Sequence, residues 1–209
     1  MEASSRRSRR SRWGARVRLA RALALSWLLL GPALSACSVG HGRGEITGTL
    51  TIDGCKNEGA YSLAPDAFFA DTAEQLLSLR VQRGGDIETY SDGIAVLVKN
   101  AGLLKQERLG QDIDLSARAE PLVAATAYFN ETCFTQERTK VPALLEAVSG
   151  SIRFDAIYAP RVDKDDVRIT ATLDRVVFRD VERPTQRWAE LSGYFDFLYV
   201  RGRPAQHFP

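Results

Sequence analysis

The chain has 209 residues, of which 44% are hydrophobic, and a formal net charge of +2 at pH 7, which suits a protein large enough to bury a core. Its charge is unevenly distributed, because residues 1–36 hold 8 of the 28 basic side chains and 1 of the 26 acidic ones. The remaining 173 residues therefore carry 20 basic and 25 acidic side chains, a net charge of −5. This acidic balance argues against nucleic acid as a partner, since phosphate binding requires a basic face.

The N-terminal segment 1–36 has the features of a signal peptide. Eight arginines lie between Arg6 and Arg21, and residues 22–36 that follow contain no charged side chain. As a helix this uncharged run is about 22 Å long, short of the roughly 30 Å of bilayer hydrocarbon. The length therefore disfavours a permanent membrane-spanning helix. A basic region, a short apolar region and small residues before a cleavage site predict an export signal that is removed.

The apolar run closes with Leu34-Ser35-Ala36-Cys37. These four residues resemble the lipobox of bacterial lipoproteins. The resemblance implies that the nucleophilic thiolate of Cys37 receives a diacylglycerol, with palmitate-type acyl chains, and that Cys37 becomes the first residue of the mature chain. The alternative is ordinary cleavage after Ala36 without a lipid. Because Ser38 and not aspartate follows Cys37, the resemblance favours the outer membrane over retention at the inner one.

The segment from Ser38 to Gly44 is short, polar and rich in glycine, a composition that predicts a flexible tether. The chain therefore divides into a signal peptide (1–36), a lipidated cysteine with its tether (37–44) and a single domain (45–209).

Alternation of apolar and polar residues, typical of half-buried strands, dominates from Glu45 onward. A break in this alternation at 176–178 predicts a β-bulge near Arg175. The segments 56–72 and 101–112 are predicted as loops, and 142–148 as one or two helical turns. No long amphipathic helix separates the strands, so the predicted fold class is all-β, a single antiparallel β-sandwich. The predicted strands lie near 45–52, 77–81, 94–98, 113–117, 122–129, 151–158, 167–173 and 190–200.

Two cysteines, Cys55 and Cys133, remain beside Cys37. In an oxidising compartment such a pair predicts a disulfide, and the alternative is two buried thiols. A metal site built on these cysteines is disfavoured, because the whole chain contains only two histidines.

No residue is predicted to be catalytic. A Ser-His-acid triad needs a histidine that the fold positions, whereas His41 lies in the predicted tether and His207 lies three residues from the end of the sequence. The densest acidic cluster contains Asp163, Asp165 and Asp166. Three carboxylates in four residues can hold Ca²⁺, and the alternative is a solvated hairpin loop. No cofactor is predicted.

Several features together resemble uncharacterised bacterial lipoproteins with a β-sandwich domain: the lipobox, the glycine-rich tether, the opening strand Gly48-x-Leu50-x-Ile52 before Cys55, and the closing strand 193–199. The resemblance implies a membrane-anchored protein that binds or scaffolds an envelope protein or polysaccharide. One alternative is a secreted hydrolase that uses paired carboxylates on envelope polysaccharide. Another is a structural subunit of an envelope assembly.

Overall fold

The computed structural model describes residues 42–84, 91–116 and 121–200. They contain ten β-strands and one short helical segment. The predicted signal peptide, Cys37, His41 and His207 lie outside these ranges. The elements are β1 (Gly42–Ile52), β2 (Gly59–Leu63), β3 (Ala67–Ala73), β4 (Leu76–Arg83), β5 (Asp92–Val98), α1 (Ala101–Leu103) with a π-helical continuation (Leu104–Arg108), β6 (Asp112–Asp114), β7 (Val123–Phe129), β8 (Ala143–Ala156), β9 (Val167–Arg179) and β10 (Arg187–Tyr199).

The strands form one antiparallel sheet in the order β2-β1-β10-β9-β8-β7-β5-β4-β3, with β6 added to β8. The predicted all-β, antiparallel fold is therefore confirmed. The sheet curls so that its two halves face each other across one core. The rings of Phe68 in β3 and Phe197 in β10 are 5.5 Å apart, and those of Tyr61 in β2 and Phe129 in β7 are 5.2 Å apart. One continuous sheet thus supplies both layers of the packing.

The core follows the alternation that the sequence shows. In β1 the side chains of Ile46, Leu50 and Ile52 are fully buried, whereas the residues between them reach solvent or are half-buried. Each such aliphatic side chain contributes about 1.5–3 kcal/mol on burial. The strands predicted near 45–52, 122–129, 151–158, 167–173 and 190–200 are all present, and the strand predicted at 45 begins earlier, at Gly42.

Three segments differ from their predictions. The predicted loop 56–72 contains β2 and most of β3. These two short strands form the edges of the sheet and bury Tyr61 and Phe68. The predicted helical turns at 142–148 are instead the start of β8, because pairing with β7 and β9 overrides the helix propensity of Leu144-Leu145-Glu146-Ala147. Part of the predicted loop 101–112 is helical, and a π-helical turn explains why its leucines fit neither period.

The bulge predicted near Arg175 is confirmed. Leu191 pairs with Val176 and Gly193 with Leu173, so that Asp174 and Arg175 together face the single residue Ser192. Arg175 has a φ of 44°, and its N–H donates to the Ser192 hydroxyl at 2.9 Å. An extra residue of this kind typically bends the strand and increases its twist.

Gly150 in β8 faces this bulge and allows a first test of the packing. Its φ is +93°, and an added Cβ would lie 2.4 Å from the Arg175 carbonyl oxygen. We expect Gly150→Ala to lower the free energy of unfolding by about 2–3 kcal/mol, because the cost of backbone strain and the cost of overpacking add together. Urea denaturation provides the measurement.

Gly54 is the matched control for this substitution. It has a similar φ of +82°, but no atom lies within 4 Å of an added Cβ. Gly54→Ala should therefore cost only the backbone strain, about 1 kcal/mol. Equal losses for the two variants would contradict the close packing at the bulge.

Candidate functional site

The carboxylate of Asp92, at the start of β5, is fully buried and accepts hydrogen bonds from four donors. Its Oδ1 accepts from the backbone N–H groups of Glu131 at 2.9 Å and Thr132 at 3.2 Å. Its Oδ2 accepts from Arg83 Nη2 at 3.0 Å and from the Thr132 hydroxyl. A buried carboxylate requires such partners, because burial without them is costly. We call Asp92, Arg83 and Thr132 the buried clasp.

The disulfide lies beside this clasp. Cys55, just after β1, is bonded to Cys133, and their Cα atoms are 5.1 Å apart. The predicted disulfide is therefore present in the structure. Backbone hydrogen bonds reinforce it, since Lys56 N–H donates to the Phe134 carbonyl at 2.8 Å and Val141 N–H to the Cys133 carbonyl at 2.9 Å. The segment 130–134 is thus fixed on one side by Asp92 and on the other by Cys55.

This fixed segment forms one wall of a groove on the outer face of β5, β7 and β8. The groove has a volume of about 440 Å³. Leu144, on its far side, is 64% exposed. Small side chains on neighbouring strands leave the depression between these walls. The lining residues are Ala95, Thr126, Tyr128, Asn130, Pro142, Ala143 and Leu144.

Tyr128 forms the floor of the groove and is held there by two neighbours. Gly93, its partner on β5, has no side chain, and a Cβ there would lie 2.5 Å from the Tyr128 hydroxyl oxygen. The hydroxyl donates to Gln82 Oε1 at 2.8 Å. Burial is the main reason that the pKa of Tyr128 is raised above its ordinary value. The side chain is therefore a fixed, neutral hydrogen-bonding group.

A second cleft, of about 280 Å³, lies between α1 with its π-helical continuation and the β8–β9 loop, residues 157–166. An ion pair joins its two walls, with Lys105 Nζ 2.6 and 2.8 Å from the carboxylate oxygens of Asp163. The Ala159 N–H also donates to Asp163 Oδ2, at 2.7 Å. These contacts fix the loop against the helical segment.

The same contacts bear on the predicted Ca²⁺ ligands Asp163, Asp165 and Asp166. The carboxylate of Asp163 is bound to the Lys105 ammonium, which occupies a position that a metal cation would need. Asp165 and Asp166 are exposed farther along the loop. Within ranges 42–84, 91–116 and 121–200, no three metal-binding side chains converge on one point.

Asp196 is another acid whose side chain is largely buried, and it lies on the outer face of β10. It accepts from Arg43 Nε at 3.2 Å, from both Nε and Nη2 of Arg168, the latter at 3.0 Å, and from the Thr170 hydroxyl at 3.2 Å. The Arg168 hydrogen bond is the largest cause of a lowered pKa for Asp196. Asp196 is 7% exposed, whereas Arg43 and Arg168 are 74% and 58% exposed.

The lowered pKa of Asp196 predicts a pH dependence of stability. Because the folded-state pKa lies below the ordinary value of 3.8, the ionised carboxylate stabilises the fold above that pH. This contribution is lost as the pH falls through the folded-state pKa. Asp196→Asn should therefore show a flatter loss of stability than the wild type when urea unfolding is measured from about pH 5 to pH 2.

Asp155→Asn serves as the control, because Asp155 forms only an exposed pair with Arg153, at 3.2 Å. This variant should retain the wild-type dependence of stability on pH, because an exposed ion pair contributes little. An Asp196→Asn slope that parallels the wild type would contradict the role assigned to this carboxylate.

The sequence did not single out Asp92, Tyr128 or Asp196. Asp92 precedes Gly93, a pair typical of turns, and Tyr128 lies in the apolar predicted strand 122–129. The available signal was for Asp196, a lone acid between Phe195 and Phe197 in an apolar strand. A charge at such a position indicates a paired side chain.

Neither the family models nor the curated proteins nor the solved structures contain a match to this chain. In the described part of the chain, no helix has the length and hydropathy needed to cross a membrane.

Proposed function

We propose that the protein is a cell-envelope lipoprotein, exported by residues 1–36 and held in the outer membrane by a diacylglycerol on Cys37. We further propose that its domain binds another component of the envelope. The proposal joins the lipobox of the sequence to two features of the folded domain, the start of β1 and the groove at Tyr128.

The observation that carries the anchoring is the start of β1 at Gly42, five residues after Cys37. Five residues reach at most about 17–18 Å, so a lipid on Cys37 would hold the domain close to the bilayer. The disulfide between Cys55 and Cys133 supports export, because such bonds persist in oxidising compartments.

The groove supports the binding role. Exposed apolar side chains that surround a preformed depression are typical of interaction sites. The lining is mostly apolar, with Asn130 and Thr126 as its polar side chains beside Tyr128. This composition favours an apolar segment of an envelope protein over polysaccharide, since sugar hydroxyls need more converging polar groups.

Cys37→Ala tests the anchoring, with Ser38→Ala as the matched control. In cells supplied with a labelled palmitate analogue, we expect Cys37→Ala to lose both the label and its sedimentation with membranes. Ser38→Ala should retain both. The disulfide and the melting temperature of the domain should be unchanged in each variant. A Cys37→Ala protein that pellets with membranes and resists salt washing would contradict the lipid anchor.

The binding role is tested separately by photo-crosslinking in intact cells. A photoreactive residue at Leu144 should give a discrete protein adduct, whereas one at the more exposed Val181, 74% exposed, should not. Ala95→Arg, which fills the groove, should remove the adduct. The absence of an adduct at Leu144, or its persistence in Ala95→Arg, would contradict binding in the groove.

A further inference from the structure

The strand register defines which end of the domain lies beside the proposed anchor. Gly42, the first residue of β1, pairs with Phe197, and Tyr199 pairs with Val167, the first residue of β9. The β8–β9 loop therefore lies at the same end as the start of β1. The β9–β10 turn, residues 180–186, lies at the opposite end, because β9 ends and β10 begins there.

The short tether determines which of these two ends lies near the membrane. This inference rests on the proposed lipidation of Cys37. β10 has 13 residues, so the two ends are separated by roughly 40 Å of extended strand. The five residues from Cys37 to Gly42 span at most about 18 Å. The end that carries the start of β1 and the β8–β9 loop is then the one held near the bilayer, and the opposite end is out of reach.

This end presents exposed apolar side chains. Val162 in the β8–β9 loop is 45% exposed and Leu103 in α1 is 39% exposed, and the two line opposite walls of the second cleft. The Lys105–Asp163 ion pair holds these walls together. The apolar pair is therefore presented in a fixed arrangement, and little ordering is required when it is covered.

Exposed arginines lie at the same end of the domain as the apolar pair. Arg161 is adjacent to Val162 and exposed. Arg43 follows Gly42 at the start of β1, and Arg168 is the second residue of β9. Asp196 orients both of these guanidinium groups but neutralises only one charge. Arginine binds phosphate oxygens well, because its donors match their geometry.

We propose that this end is a membrane-docking face, on which Leu103 and Val162 enter the phospholipid headgroup layer and Arg43, Arg161 and Arg168 bind lipid phosphates. Apolar side chains flanked by basic ones are the features of segments that lie in the membrane interface. Asp165 and Asp166 are exposed on the same loop. They limit the attraction, so that the face orients an anchored domain and does not replace the anchor.

Docking in this orientation has a consequence for the groove. β8 runs from Ala143, in the groove, to Ala156, beside the docking face. Its 14 residues place Ala143, at one end of the groove, roughly 40 Å from Ala156. The Ala143 end of the groove would then lie away from the membrane and remain open to a partner.

The test uses the full-length protein purified with its lipid and reconstituted into phospholipid vesicles. Because Cys55 and Cys133 are bonded and Cys37 carries the lipid, an introduced cysteine is the single reactive thiol. Val162→Cys, labelled with a polarity-sensitive dye, should show a blue-shifted emission that headgroup spin labels quench. Val181→Cys, at the opposite end, should show the spectrum of the dye in water.

Three further variants address the chemistry. Leu103→Asp should return the dye at position 162 to its water-like spectrum. In vesicles rich in anionic lipid, Arg43→Gln and Arg161→Gln should each lower the ratio of docked to undocked protein by about fivefold. A water-like spectrum for Val162→Cys in a lipidated protein would overturn the docking face while leaving the lipoprotein proposal intact. A Cys37 peptide whose mass shows no lipid would overturn both.

Discussion

Replacing Cys55 and Cys133 together by alanine is expected to lower the free energy of unfolding by about 4–5 kcal/mol. The two cysteines are 78 residues apart, and opening this long loop increases the conformational entropy of the unfolded chain. The bridge also joins opposite halves of the curled sheet, since Cys55 follows β1 and Cys133 follows β7. Urea denaturation of the two proteins provides the measurement.

Reductant supplies the control for this prediction. It should shift the wild-type midpoint towards that of the double-alanine protein and leave the double-alanine protein unchanged. Single Cys55→Ala and Cys133→Ala variants should resemble the double variant, because each opens the same loop. A loss below about 1 kcal/mol in the double variant would contradict an important role of the bridge in stability.

The second large effect is expected from Asp92→Ala, which removes the acceptor of the buried clasp and should cost about 3–4 kcal/mol. The N–H groups of Glu131 and Thr132 would lose their buried partner. Arg83 is 38% exposed and can be hydrated after the substitution. The expected loss therefore lies at the lower end of the range for breaking a buried ion pair. Thermal and urea unfolding provide the measurement.

Asp196→Ala is the matched control, because it also removes an acid that is paired with arginine in the sheet. Its partners Arg43 and Arg168 are largely exposed and regain hydration when the acid is removed. The expected loss is therefore about 1 kcal/mol or less. Equal losses for Asp92→Ala and Asp196→Ala would show that burial of the clasp does not determine its contribution.

The long strands of the C-terminal half were predictable, because their alternation repeats over many residues. In β9 the buried positions Ile169, Ala171 and Leu173 alternate strictly with half-buried ones, and the shift to Val176 indicated the bulge. β2 and β3 were not predicted, since each is short and the turn between them contains Pro65. Their pairing depends on β1 and β4, which local patterns do not identify.

Local sequence patterns could not predict the buried clasp, for a related reason. Asp92 is 9 residues from Arg83 and 40 from Thr132, and only the fold brings the three together. The disulfide was predicted because pairing follows from counting the cysteines. The groove was not, since it arises from small residues on neighbouring strands, among them Gly93 and Ala95. The lipid on Cys37 stays a prediction.

The pairing of β1 with β10 also determines when the protein can fold. Arg43 and Asp196 contact each other across 153 residues of sequence, so that the first strand obtains its main partner from the last. Until Arg187–Tyr199 has been synthesised, β1 has only the short β2 beside it, which is too little for a stable sheet. Such non-local pairing makes folding slow, because a long loop must close before its contacts form. We therefore expect β1 to join the sheet only after Arg187–Tyr199 has been synthesised, and a chain that ends before these residues leaves an unpaired strand prone to aggregation.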